Sequence, residues 1–312
     1  MAPVPSNKCA ACGAEATMRC SGCLNAPEYQ TGDSTAVVYC NGVCQKGHRP
    51  KHKGHCKDMQ KRKTLLRAAQ LLKAAMLAYR ETVYDIDLTK IELIDGVLYL
   101  HQKVVLNASQ PKRGSFPDHL TNNVEHKEAA LVNNQCTAAM ALLGPLTRKL
   151  LKDMPFQIEI MDITVGKPRV PTRLIPGPNS QSAPQHTVLK IRNVGNNETW
   201  IVDTTGCQYG FRDVLIPFNT YFLANDCQTR DSPQTYDACE TKDLDYFETI
   251  PLLTMTKALR MNLRLERQSR QHFAVFVART VGDKILGGSD AEFRVTIDHF
   301  VNGLKSHMRA IL

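Results

Sequence analysis

The sequence predicts a small cysteine-rich module at residues 1–57 followed by an α+β domain at residues 58–312. Three observations carry this. Seven of the 11 cysteines fall within the first 56 residues. Beyond them apolar residues recur first at helical spacing, then in strand-like runs, then at helical spacing again. A hydrophobic fraction of 43% in 312 residues supplies a sizeable core.

The same totals exclude several classes. No run of about 18 apolar residues could form a transmembrane helix. The start, MAPVPSNKCAACGAE, lacks the apolar region of a signal peptide. The triplets Asn107-Ala108-Ser109 and Asn197-Glu198-Thr199 therefore read as chance matches to a glycosylation site. A cytoplasmic or nuclear address follows. There thiols stay reduced, and clustered cysteines mean metal rather than disulfides.

The cysteine-rich module holds four ligand pairs: Cys9-x2-Cys12, Cys20-x2-Cys23, Cys40-x3-Cys44 and His52-x3-Cys56. Structural zinc takes four sulfur or nitrogen ligands in a tetrahedron. Eight ligands imply two closed structural Zn2+ sites with no position left for catalysis. His52 and Cys56, four apart, share one face of a helix whose first turn suits Pro50. His48 lies two turns from Cys56, and His55 points about 100° aside, so both read as surface side chains. Residues 1–67 carry a formal charge of +7, and seven thiolates with two zinc ions reduce it to +4. The run from Cys40 to Lys63 has no Phe, Tyr or Trp, which argues against nucleic acid as the partner.

CAAC, CSGC and YCNGVCQKGHRPKHKGHC together resemble the MYND zinc finger, through Tyr39, Cys40, Cys44, Gln45, His52 and Cys56. The resemblance implies a cross-braced arrangement. One zinc takes Cys9, Cys12, Cys40 and Cys44, and the other takes Cys20, Cys23, His52 and Cys56. It also implies other proteins as partners, including proline-containing peptides. Arg49 stands where the family usually places a groove-forming Trp.

The elements of the α+β domain follow in order. Leu65, Leu66, Ala69, Leu72, Met76 and Tyr79 mark one long connecting helix over 57–84. Residues 90–102 read as a hairpin around Asp95-Gly96. A loop at 107–118 precedes helices over 123–153, broken near Gly144-Pro145. Residues 156–165 form a strand, and a proline-rich loop covers 166–185. HTVLKIRN and TWIVDTT pair as antiparallel strands, and two helices close the chain near 252–271 and 290–311.

Within this domain Cys136 begins an Ala-rich helix, His186 opens a strand and Asp203 ends the next. A helix start favours thiolate, an imidazole can accept the thiol proton, and a carboxylate can orient the imidazole. The segment QHTVLKIRNVGNNETWIVDTTG resembles the His-to-Asp segment of transglutaminase-like, papain-type folds through Trp200, Asp203 and Thr205. That resemblance implies Cys136 as nucleophile, His186 as base and Asp203 as orienter. Thr137 and Val188 occupy places where that family commonly has aromatic residues. Cys207 is the alternative thiol. No G-x-G-x-x-G is present to suggest a nucleotide-type cofactor loop. The functional expectation is a zinc-finger adaptor with an α+β body; the alternative is a Cys-dependent amide hydrolase or acyltransferase directed by the finger.

Overall fold

The computed structural model describes residues 8–103, 113–177, 184–236 and 249–312. Cys239, Asn107 and parts of the loops expected at 107–118 and 166–185 lie outside the described residues. The chain divides into two compact units, Met1–Ala68 and Ala69–Leu312. Among the described residues no helix is long and apolar enough to cross a membrane.

In the first unit, β1 (Met18–Arg19) and β2 (Val38–Tyr39) form an antiparallel pair, and α1 (Gly42–Thr82) begins. This helix starts well before the expected residue 57 and takes in Cys44, His52 and Cys56. Their separations of eight and four set all three toward one side of the helix. Pro50 is inside the helix rather than in its first turn. Its ring removes one backbone hydrogen bond, and the ligand residues Cys44 and His52 flank it on the same helix. Cys20, Cys23, Tyr39 and Met59 form the buried centre. Arg62 clamps the loop above it, donating to both Asp33 carboxylate oxygens at 2.9 and 2.8 Å. Asp33 also accepts the Tyr29 and Gln30 N–H groups. Burial opposes the Asp33 charge, but Arg62 and those N–H groups hold its pKa below the ordinary carboxylate value.

In the second unit, β3 (Leu88–Ile94) and β4 (Val97–Gln102) form the expected hairpin. Asp95 and Gly96 both have positive φ, 49° and 77°, as a tight two-residue turn requires. After β5 (Phe156–Val165), β6 (Thr172–Ile175) adds to β4 in parallel, a pairing the local pattern does not reveal. The main sheet contains β5, β7 (Gln185–Asn193), β8 (Thr199–Val202), β9 (Leu215–Pro217), β10 (Cys227–Thr229) and β11 (Gln234–Thr235). Its order is β10-β5-β7-β8-β9, with β11 also on β5, and every pairing in it is antiparallel.

Helices α2 (Val124–Val132) and α3 (Cys136–Leu151) precede the sheet in the chain. The break expected near Gly144-Pro145 falls instead at Asn133–Gln135, where Asn134 turns left-handed with φ 55°. Asparagine tolerates that conformation. Pro145 is carried inside α3, whose buried face includes Met140, Leu142, Leu143, Leu146 and Leu150. Burial of that face outweighs the single lost backbone bond. Later come α4 (Phe218–Asn225), α5 (Pro251–Thr254), α6 (Lys257–Thr280) and α7 (Asp290–Arg309). The sheet core joins Met161, Ile163, Val165, Val188, Ile201 and Tyr221.

Candidate metal centres and a buried Cys-His-Asp cluster

The four ligand pairs form two clusters. Cys9, Cys12, Cys40 and Cys44 form one; Cys20, Cys23, His52 and Cys56 form the other. In each, all ligand atoms lie within 4.8 Å of one another. A zinc tetrahedron with Zn–S near 2.3 Å has sulfur–sulfur edges of about 3.8 Å. The Cys12–Cys40 and Cys20–Cys56 sulfurs are both 3.7 Å apart, and Cys40–Cys44 are 3.5 Å apart. Cys23 Sγ lies 3.3 Å from His52 Nε2, near the shorter sulfur–nitrogen edge. The donor sets therefore fit two zinc ions, one held by thiolates alone and one by three thiolates and an imidazole. Bound zinc supplies a crosslink between the knuckle strands and α1.

Without metal these thiols resist joint ionisation. The hydrogen bond with Cys40 is the main cause pushing Cys44 up to about 12. Burial, then the Cys20 and Cys56 charges, raises Cys23. Metal binding replaces those protons, so the fold of this unit is coupled to the metal. The Tyr39 hydroxyl meets His48 Nδ1 at 3.1 Å, so His48 braces the buried tyrosine rather than standing free. His55 is exposed.

A Cβ at Gly22 would sit 2.7 Å from the ligand sulfur of Cys56. Gly22→Ala is expected to weaken the histidine-containing site about tenfold or more while sparing the all-thiolate site. Competition with a chromophoric chelator, resolving the two ions, checks this.

In the second unit the backbone brings three distant residues together. The β7–β8 register pairs Leu189 with Val202. Extending it one pair sets Asp203 opposite Val188, and His186 lies on the same face two residues away. His186 Nε2 meets Asp203 Oδ1 at 2.9 Å, with both side chains buried. Tyr221 donates its hydroxyl to Asp203 Oδ2 at 2.7 Å, and the Thr205 N–H donates to Oδ1 at 3.1 Å. A Cβ at Gly206 would meet Asp203 Oδ2 at 2.3 Å, so glycine there makes room for the carboxylate. Tyr209 packs edge-on against His186 at 5.0 Å.

Cys136 is the first residue of α3. Thr137 and Thr187 hydroxyls lie 3.4 Å apart, tying that helix start to β7 beside His186. The first-turn N–H groups of a helix have no partner within it and favour a thiolate. Burial opposes ionisation of Cys136, but hydrogen bonding and charge from His186, and the Thr187 N–H, lower its pKa below the ordinary thiol value. Burial alone would lower the His186 pKa; the Asp203 carboxylate, then Cys136, reverse this and raise it. Asp203, despite burial, is held below its ordinary value chiefly by His186. Together these directions favour a thiolate–imidazolium pair. No direct, well-formed hydrogen bond joins His186 to Cys136, since the buried His186 Nδ1 has no such partner; catalytic contacts commonly tighten only when substrate binds.

Cys207 lies in the turn after Asp203, with its Sγ toward the Glu128 carbonyl at 3.6 Å. Burial pushes its pKa up to about 12, the character of a packing thiol. Tyr221 and Gly206 carry no local sequence signal for their part in holding Asp203; only the tertiary fold brings Tyr221 to it.

The first unit is thus a cross-braced two-zinc finger, with ligand pairs alternating between the ions along the chain. Residues 9–56 match the family model of the MYND finger. No curated protein and no solved structure matches the chain.

Proposed function

We propose that this chain is a thiol acyl-transfer enzyme directed to its substrates by a protein-binding zinc finger. The observation that supports the enzymatic reading is the buried His186–Asp203 pair at 2.9 Å beside a helix-start thiol whose pKa it lowers. In the reaction, the Cys136 thiolate attacks an amide carbonyl and forms a carbon–sulfur bond. The carbon–nitrogen bond then breaks, and the leaving amine takes a proton from the His186 imidazolium. Water or an amine next attacks the thioester, His186 accepts its proton, and the thiolate leaves. Asp203 holds the imidazole by Nε2, so Nδ1 serves the sulfur. Other proteins, in the cytoplasm or nucleus, are the proposed partners of the finger.

The test is selective alkylation. Burial pushes the Cys207 and Cys227 thiols up to about 12. At neutral pH iodoacetamide should label Cys136 well before either, and His186→Ala should slow that labelling at least about tenfold. Equal, slow labelling of all three thiols overturns the enzymatic reading.

A second reading, a non-catalytic adaptor, is favoured by access. His186 is only 1% exposed. Cys136 lines neither the cavity of about 640 Å³ beside Arg113 nor that of about 410 Å³ beside Cys207. Under it, Cys136 labels no faster than the buried thiols and the finger's binding is unaffected by Cys136→Ser.

A further inference from the structure

On α1, Lys46, Arg49, Lys53 and Lys57 are all exposed. Their spacings of three and four residues align them along one side of the helix. From Lys46 to Lys57 the row rises through 11 residue steps, roughly 16 Å at 1.5 Å per residue. Among the described residues none of the four forms an ion pair. Arg49–Lys53 and Lys53–Lys57 are like-charged neighbours one turn apart, an arrangement that weakens a helix by a few tenths of a kcal/mol per pair. The helix tolerates it because Cys44, His52 and Cys56 on the same segment belong to the zinc clusters. With both ions bound, residues 1–67 keep a formal +4, to which the four cations of the row contribute.

We propose that this row is the docking surface for an acidic protein segment bound in extended form. The inference rests on the reading of the finger as an interaction module and names the chemistry of its partner. Charge complementarity argues for it: an extended segment of about five residues spans roughly 16 Å, so the carboxylates along an alternating acidic segment of that length can each reach a cation of the row. Arg49 lies within the row, offering a guanidinium fork suited to a carboxylate rather than an apolar groove wall. Nucleic acid fits less well, because no Phe, Tyr or Trp lies between Cys40 and Lys63 to stack on a base.

The experiment uses the full-length, zinc-loaded chain and fluorescence anisotropy. The probes are a labelled Glu-Ser repeat peptide, its Gln-Ser counterpart, a neutral proline-rich peptide and a short oligothymidylate. Binding of the Glu-Ser peptide alone among the peptides is expected, weakening several-fold as salt rises from about 50 to about 200 mM. A variant combining Lys46→Gln, Arg49→Gln, Lys53→Gln and Lys57→Gln should lose at least about tenfold in affinity while keeping its zinc content. Unchanged binding by that variant, no binding of the acidic peptide, or tighter binding of the oligothymidylate overturns the proposal. Proline-rich peptide binding that survives the four changes overturns the row but leaves the interaction module standing. The module reading itself fails only if no peptide binds.

Discussion

Removing both zinc ions from the full chain is expected to unfold residues 8–68 while the second unit keeps its sheet. The first unit's buried centre is Cys9, Ala16, Cys20, Cys23, Ala26, Tyr39 and Met59, three of them ligands. So small an apolar cluster gives the unit little stability of its own. Structural zinc contributes roughly 10–16 kcal/mol of apparent binding energy at neutral pH in finger peptides, so folding of this unit depends on its two crosslinks. The second unit has its own apolar cluster around Met161, Val188, Ile201 and Tyr221 and contains none of the ligands. Hydrogen exchange on the chelated protein should therefore show fast amides through residues 8–68, with protection retained in β5, β7 and β8. Protection persisting in the finger after chelation would mean that metal is not what holds it, whatever its ligand geometry.

The finger was legible in the sequence because coordination chemistry is local and discrete: eight side chains of the right type at fixed spacings leave few alternatives. Its cross-bracing was carried by family resemblance, since spacing alone does not say which pairs share an ion. The long helix begins earlier than its apolar pattern suggests because helical periodicity of apolar residues starts only near Leu65, whereas Cys44, His52 and Cys56 sit at helical spacing as metal ligands. Pro50, which suits a first turn, is instead carried inside the helix. In the second unit β5, the Asp95-Gly96 hairpin and the β7–β8 pair carry strong local patterns. The parallel pairing of β4 with β6 joins segments some 70 residues apart and leaves no mark in either. The helix break moved from Gly144-Pro145 to Asn134 because the buried face of α3 tolerates a proline, while the left-handed turn is set by tertiary packing. Among the cluster residues, Cys136, His186 and Asp203 announce themselves by position in their elements. Tyr221 and Gly206, which fill the second oxygen of Asp203 and its surroundings, do not.

Replacing Asp203 is expected to have the largest single-residue effect in the second unit. Asp203→Ala removes the counter-charge of a fully buried imidazolium and leaves the Tyr221 hydroxyl, buried with it, without its acceptor. Breaking a buried pair in this way costs about 3–5 kcal/mol. The pH dependence of that loss identifies its cause. His186 is raised from 6.5 to about 10 by the Asp203 carboxylate, against burial. Its contribution to stability is therefore complete below 6.5 and disappears as pH rises through 10. Asp203 is held below 3.8, so its contribution is complete above that value and is lost as pH falls below it. The stability difference between wild type and Asp203→Ala should then be flat between about pH 4 and 6.5 and shrink steadily toward pH 10. Urea unfolding of both proteins in a Cys136→Ser background, where the thiol does not titrate, measures it; Cys136 also helps to raise His186, so in that background the loss sets in below pH 10. Asp203→Asn separates charge from shape: it can still accept from Tyr221 and fill the space beside Gly206, but it cannot hold the imidazolium. In the Cys136-containing protein it should therefore raise the thiol pKa seen in alkylation–pH profiles with a smaller loss of stability than Asp203→Ala. A thiol pKa unmoved by Asp203→Asn would mean that the carboxylate only packs the strand end, and that Cys136 owes its ionisation to the start of α3 and the Thr187 N–H alone.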